Sequence, residues 1–266
     1  DLDITDRLAI ASVVADFGPD VIINAAAYTA VDAAETDEDR AYAVNATGPA
    51  LLAAEAARAG IKLLHVSTDY VFDGTAREPY PTDAATNPQS AYGRTKLAGE
   101  LAVRALAPEH GYVVRTAWVY GATGGNFVKT MIRLEGEHPT VSVVDDQRGS
   151  PTWSADLARG LVELCRSDAP AGNYHCTGSG DTTWYGLTQA IFAEIGADPE
   201  RVLPTTTDKF PRPAARPGYS VLSNEGWLAA GLTALPDWRS ALRQALTESA
   251  TDFGCNRSIS HSEQAR

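Results

Sequence analysis

Apolar positions along the chain alternate between short unbroken runs and helical stripes. Asp20-Val21-Ile22-Ile23-Asn24 is a short apolar run, the pattern of a strand buried on both faces of a parallel sheet. Ile61–Val66 and Tyr112–Val119 read the same way. Between them lie segments with helical spacing. Thr5–Phe17 is predicted helical, with Thr5 as N-cap and Gly18-Pro19 as the stop. A long helical region runs from Asp37 to Ala59 and ends at Gly60. Ser90–Leu106 and Asn126–Arg133 are two further helices, and Ser67–Gln89 is a loop rich in turn residues. Strands separated by helices imply βαβ units. The fold class is therefore α/β, a Rossmann-like doubly wound parallel sheet over residues 1–140.

Beyond residue 140 the rhythm loosens. Val141–Val144 reads as a strand, and Ser154–Cys165, Thr183–Ile195 and Trp238–Leu246 as helices. Phe210–Ser220 carries Pro211, Pro213, Pro217 and Gly218. Residues 141–250 are expected to form a small C-terminal substrate lobe. Thr251–Arg266 is polar and aperiodic, and a disordered tail is expected there.

Composition narrows the function. The chain has 266 residues, is 44% hydrophobic and carries a net charge of -12. Such an acidic chain repels phosphate backbones, so nucleic acid is not its partner. It lacks an apolar run of about 18 residues, so no membrane span is expected. No signal peptide is expected before its first polar residues. Cys165, Cys176 and Cys255 are odd in number and without CxxC spacing, which argues against a disulfide framework or a zinc site and for a reducing, cytoplasmic setting. The chain starts at Asp1 and its only Met is Met131, so it is expected to begin inside a longer sequence.

The candidate chemistry begins at Tyr92 and Lys96. The i,i+4 spacing puts both on one face of the helix from Ser90. A lysine ammonium beside a phenol favours the phenolate and is expected to pull the tyrosine pKa from about 10 toward neutrality. Tyr92 is then suited to protonate a carbonyl oxygen as it becomes an alkoxide. The alternative is an ordinary surface pair, although the chain has only four lysines. A second element, Ser67-Thr68-Asp69-Tyr70-Val71-Phe72-Asp73-Gly74, directly follows a strand, where doubly wound sheets bind ligands. A hydroxyl there can hold a substrate oxygen for Tyr92. Taken alone it is a common turn. A third, Asn24–Asp32, follows another strand with small residues that let a cofactor approach the backbone. Gly121-Ala122-Thr123-Gly124-Gly125 lacks the G-x-G-x-x-G spacing of a dinucleotide loop and is read as a loop at the substrate cleft.

Further matching segments run from Asp3-Ile4-Thr5-Asp6 through NAAAYTAVDAAE (24–35), STDYVFDG (67–74) and YGRTKLAGE (92–100). They continue with RTAWVY (115–120), NFVKTM (126–131), DQRGSPT (146–152) and RPGYS (216–220). Together they resemble the extended short-chain dehydrogenase/reductase superfamily and, within it, the dTDP-4-dehydrorhamnose reductase family. The resemblance covers residues 3 to about 246. It implies Thr68, Tyr92 and Lys96 as a catalytic triad. It implies Asp3, Ile4, Ala27, Tyr28, Thr29, Tyr92 and Lys96 as residues lining NADPH or NADH. Val31, Thr68, Asp69, Tyr70 and Trp118 are expected at the dTDP-sugar. A homodimer belongs to the same implication. Some members carry Mg2+ through glutamates at a dimer contact, but no residues here match those positions. The family opens with a strand at the sheet's centre and a Gly-rich turn for the pyrophosphate, and this chain starts after both. The expectation is a fragment or a weakened cofactor grip. A related dehydratase or epimerase, or a non-catalytic regulatory subunit resembling the methionine adenosyltransferase β subunit, are the alternatives. Dehydratases typically have Glu where this chain has Tyr70, and the intact triad weighs against a silent subunit.

Overall fold

The computed structural model describes residues 2–254. Asp1, Cys255 and the rest of the predicted tail from residue 255 lie outside the described residues. In chain order, α1 (Arg7–Phe17) leads to β1 (Val21–Asn24), α2 (Glu38–Tyr42), α3 (Gly48–Ala59), β2 (Lys62–Thr68), α4 (Ala91–Leu106) and β3 (Gly111–Thr116). There follow β4 (Val119–Tyr120), α5 (Phe127–Glu137), β5 (Val141–Val144), β6 (Arg148–Gly149), β7 (Thr152–Trp153), α6 (Ser154–Arg166) and β8 (Asn173–His175). The chain continues through β9 (Thr182–Thr183), α7 (Trp184–Glu194), β10 (Val202–Thr205), α8 (Glu225–Ala229), α9 (Trp238–Glu248) and α10 (Ala250–Phe253).

The main sheet is parallel throughout, in the order β1-β2-β3-β8. Side chains alternate between its faces, and both faces are covered. Leu63 and Val113 pack against Ile10, Leu52, Ala56 and Val103 from α1, α3 and α4. Leu64, Tyr112 and Val114 pack against Leu157, Leu161 and Trp227 on the other side. This double burial is why the strands read as unbroken apolar runs. Among the described residues the four strands are contiguous, with β1 and β8 at the edges.

The fourth strand, β8, comes from beyond residue 140, so the sheet domain is not confined to residues 1–140. The second lobe has its own core of Tyr120, Val128, Met131, Trp153, Ile191, Phe192, Trp238 and Leu242. Phe253 of α10 is 2% exposed in that core. The expected disorder from Thr251 is thus wrong for residues 251–254, because an apolar ring there finds a burial site.

Three elements differ from expectation for local reasons. Asp6, not Thr5, caps α1: its carboxylate accepts from Leu8 and Ala9 N–H at 2.9 and 3.1 Å. The region predicted as one helix over 37–59 is broken by a π turn at Ala43–Thr47. Pro49 has no N–H to give the Asn45 carbonyl, which leaves the i→i−4 ladder. A Cβ on Gly99 of α4 would lie 2.1 Å from that carbonyl oxygen, so α4 can pass only because residue 99 is glycine. The strand predicted over 112–119 is two strands in two sheets. Trp118 has φ +48° and turns the chain from β3 into β4, which pairs with β7.

Candidate active site

The carboxyl end of β2 and the first turns of α4 meet at one point. Ser90 caps α4 by accepting from Gly93 N–H at 3.1 Å. This aims Tyr92 and Lys96 at the strand end. Thr68 Oγ1 donates to Asp69 Oδ1 at 3.0 Å and accepts from Tyr70 N–H at 3.2 Å. The Tyr70 ring meets Tyr92 edge-on, with centroids 5.5 Å apart and planes at 77°. Gly93 permits this closeness, since a Cβ there would lie 2.3 Å from the Tyr70 carbonyl oxygen. The structure therefore brings Thr68, Asp69, Tyr70 and Tyr92 together, with Lys96 one turn behind.

The protonation pattern corrects the sequence expectation. Burial pushes the Tyr92 phenol up to about 12, with the Thr68 hydroxyl acting downward and Asp69 adding to the rise. Lys96 does not depress it, because its Nζ donates to the Val66 carbonyl at 2.7 Å and lies 3.4 Å from His65 Nε2. Lys96 is itself lowered to about 8 by burial, against the pull of Glu100. Asp69 is raised to about 6 by burial, with its hydrogen bonds opposing. Its Oδ2 is buried without a hydrogen-bond partner in the protein. A buried orphan oxygen is expensive unless something fills its lone pairs, and this one lies beside the Thr68 hydroxyl.

The segment after β1 forms the second wall. Ala25 and Ala26 are exposed and leave the backbone open to a ligand. Asn45, on the π turn, accepts from Tyr28 N–H at 2.8 Å, donates to the Tyr28 carbonyl at 3.1 Å and donates to Thr95 Oγ1 at 3.1 Å. It ties Ala27-Tyr28-Thr29 to α4. The other two expected cofactor residues differ from each other. Asp3 is exposed and its carboxylate accepts from Thr5. The Ile4 side chain is packed on Gly48 in the core beneath α3, so it lines an inner wall and not the rim.

The third wall comes from far along the chain. Arg216 pairs with Asp32 at 3.0 Å, and Asp32 also accepts from Ala214 N–H at 3.2 Å. Val31, beside Asp32, is half-buried in this wall. Gly74, at φ +79°, lies so close to Pro217 that a Cβ would be 2.6 Å away. Tyr70, Asp73, Ser90, Ala215 and Arg216 line the resulting cleft.

Trp118 sits apart from these walls, against the first residue of α7. Its indole stacks on Trp184 at 3.5 Å and 6°, and Trp184 leans on Phe127 at 4.3 Å. The nearby 121–125 loop is fastened, since Asn126 donates to the Gly121 carbonyl at 2.8 Å and Lys129 to that of Ala122. Asn45, His65, Arg216 and Trp184 escaped the sequence reading as site residues. Arg216 alone had a signal, the RPGYS segment.

Open alanines after β1 and an orphaned carboxylate oxygen at the end of β2 fit a nicotinamide cofactor with a carbonyl substrate. Among the described residues no group of three His, Cys, Asp or Glu is arranged for a metal ion, so no residue is assigned to Mg2+. His175 and Cys176 are buried, and the His175 ring faces the Ser223 carbonyl at 3.1 Å.

A doubly wound sheet with Tyr-x-x-x-Lys at the end of its second strand defines an extended short-chain dehydrogenase/reductase. The chain belongs to the RmlD substrate binding domain family, whose model matches residues 1–251. It is 52% identical over 248 residues to a dTDP-4-dehydrorhamnose reductase of Streptomyces griseus, covering 92% of this chain and 82% of that one. A Mycobacterium tuberculosis protein of the same name is 50% identical, with 97% and 85% covered. At 50%, with 92% and 85% covered, stands a dTDP-4-keto-6-deoxy-D-glucose reductase of Streptomyces niveus. The solved dTDP-4-dehydrorhamnose reductase of Bacillus anthracis, in complex with NADP, superimposes with a TM-score of 0.89 at 40% identity, covering 93% and 87%.

Proposed function

We propose that the protein reduces the 4-keto group of dTDP-4-dehydro-L-rhamnose to give dTDP-L-rhamnose, using NADPH or NADH. The observation that carries this reading is the meeting of Thr68, Tyr92 and Lys96 at the end of β2, in a chain about half identical to two reductases of that name. The cofactor supplies the hydride when bound. The protein supplies position and a proton. A phenol held up to about 12 is protonated at neutral pH, so Tyr92 is in the correct state to act as an acid. Thr68 Oγ1 orients the substrate oxygen toward that proton, and the Lys96 amine holds the nicotinamide ribose. Asp69, Tyr70 and Val31 border the sugar, and Trp118, stacked on Trp184 outside these walls, is its remaining expected contact. Elimination of water needs a base and an acid beyond Tyr92; Asp69 can be one of them, and Tyr70, raised above its ordinary value by burial, cannot be the other. Simple reduction is favoured over dehydration for that reason.

A second reading, reduction of another dTDP-4-keto-6-deoxy sugar, is favoured by the equal identity to the Streptomyces niveus reductase. The protein acts on a soluble nucleotide sugar in the cytoplasm, and a homodimer is part of this reading. Among the described residues no helix is long and apolar enough to cross a membrane.

The test is reduction of dTDP-4-dehydro-L-rhamnose followed by loss of nicotinamide absorbance, beside dTDP-4-keto-6-deoxy-D-glucose as competitor. Tyr92→Phe is expected to lower kcat by about 10²-fold or more, the scale of acid catalysis. Near-normal turnover in that variant overturns the assignment, and preference for the glucose-derived ketone selects the second reading.

A further inference from the structure

A buried chain of polar groups runs behind the site from β1 through β2 to α4. Asn24, His65 and Lys96 are 4%, 0% and 1% exposed. Contacts of 3.1 and 3.4 Å link the three side chains in series. Ala26 N–H donates to Asn24 Oδ1 at 3.1 Å. That fixes the orientation of the amide, since the flipped form would set two donors against each other. Asn24 Nδ2 then faces His65 Nδ1 at 3.1 Å as a donor. His65 Nδ1 must accept. Burial holds His65 well below its ordinary value, so the ring is neutral and carries one proton. With Nδ1 accepting, that proton is on Nε2. Nε2 points at Lys96 Nζ, 3.4 Å away.

An ammonium has three N–H groups and no lone pair. A second donor aimed at it is repulsive, whereas an amine accepts the same bond. We propose that His65, locked by Asn24 in the Nε2–H tautomer, is a positioning residue that biases Lys96 toward its uncharged amine. Its consequence for turnover rests on the reductase reading above, but its test does not. On α4 itself Glu100 favours the ammonium, but Arg115 of β3 pairs with that carboxylate at 2.8 Å and offsets its charge. From β2 the neighbours are neutral His65 and the Val66 carbonyl. Tyr92, on α4, is an uncharged phenol.

The proposal makes Asn24 a switch for a residue it does not touch. In Asn24→Asp the carboxylate still accepts from Ala26 N–H. Its other oxygen accepts from His65 Nδ1, which moves the ring proton to Nδ1. Nε2 then carries a lone pair toward Lys96 and stabilises the ammonium. His65→Gln removes the obligatory donor by another route.

The chain has four lysines and five histidines, few enough to resolve by NMR of the full 266-residue protein with labelled lysine and histidine. In the native protein the His65 ring nitrogens are expected to show Nε2 protonated and Nδ1 bare. Lys96 is expected to titrate well below the ordinary lysine value of about 10.4. Asn24→Asp is expected to raise that midpoint by about one unit or more, and His65→Gln to raise it less. A native His65 with its proton on Nδ1 overturns the proposal without any variant. An unmoved Lys96 midpoint in a folded Asn24→Asp protein overturns it too. Both readouts are taken without substrate or cofactor, so they succeed or fail apart from Tyr92→Phe turnover.

Discussion

Arg115 grips Glu100 inside the interface between β3 and α4, Nε at 3.0 Å and Nη2 at 2.8 Å from the carboxylate, with both side chains 3% exposed. Glu100 also accepts from Ser67 Oγ at 2.6 Å, directly before Thr68. Arg115 lies over the Phe72 ring at 5.0 Å and donates to the Thr82 carbonyl. The pair thus anchors the end of β2 to the helix that carries Tyr92.

Removing one partner leaves a buried charge without compensation. Glu100→Gln is expected to lower the unfolding free energy by about 3–5 kcal/mol. Urea denaturation measures it. The double variant Glu100→Leu with Arg115→Met is expected to recover most of that loss, because it buries no lone charge. A single variant as stable as the parent would show that the pair is solvated.

Asp69 gives a pH signature. Its folded value, about 6, lies above the ordinary 3.8, so the native state holds a proton that the unfolded chain releases. Stability from this group is present at low pH and is lost as pH rises from about 4 to 6. At 1.36 kcal/mol per unit the change is on the order of 3 kcal/mol. Asp69→Asn cannot titrate. The difference in unfolding free energy between the two proteins is therefore expected to change across that window and to level off above it. Parallel stability curves from pH 4 to 7 would contradict the buried, unpartnered Oδ2.

Much of the frame was legible because it is local. The start of α4 near Ser90, the i,i+4 pair and the apolar runs of β2 and β3 depend on neighbours a few residues away. Thr68 reads as a hydroxyl at a strand end, and β2 does end there. What escaped depends on contacts between elements. Lys96 reads as the partner of Tyr92 until α4 is laid on β2 and its nitrogen meets Val66 and His65. Asn45 reads as a helical surface residue until Pro49 breaks the ladder and turns it inward. β8 is three residues, Asn-Tyr-His, too short for any period to show. Trp118 sits in an apolar run that reads as continuous, and only its positive φ reveals a corner.

That corner predicts a specificity effect. A non-glycine residue at φ +48° is strained, and the Trp184 stack holds it there. A Cβ on Gly149 would lie 2.5 Å from the Trp118 ring. Gly149→Ala and Trp118→Ala are both expected to raise KM for the sugar nucleotide by roughly tenfold, about 1.4 kcal/mol. Cofactor affinity is expected to stay nearly unchanged in both. Equal weakening of both ligands would assign Trp118 to the core.

Asn45→Ala strips two half-buried bonds from the Tyr28 backbone and one buried bond from Thr95. It is expected to cost about 3 kcal/mol of stability. It is also expected to weaken NADPH binding in calorimetry, because Ala27–Thr29 loses its tie to α4. Asn45→Asp, which keeps the acceptor for Tyr28 N–H, is expected to lose less of both. An Asn45→Ala protein that binds NADPH like the parent would detach this loop from the cofactor.

The pairing of Asp32 with Ala214, 182 residues away, and with Arg216 joins distant segments of the chain. Its ions are partly solvated, so it adds little to stability by itself. Its importance lies in the order of synthesis. As the chain leaves the ribosome, α4 and the end of β2 emerge before Arg216 and can pack on each other while the Asp32–Arg216 wall is still unmade. A nascent chain can therefore bring Thr68 and Tyr92 together before that wall closes over them. Proteolytic cutting within the Phe210–Ser220 segment should abolish selectivity between ketones first and cofactor binding last.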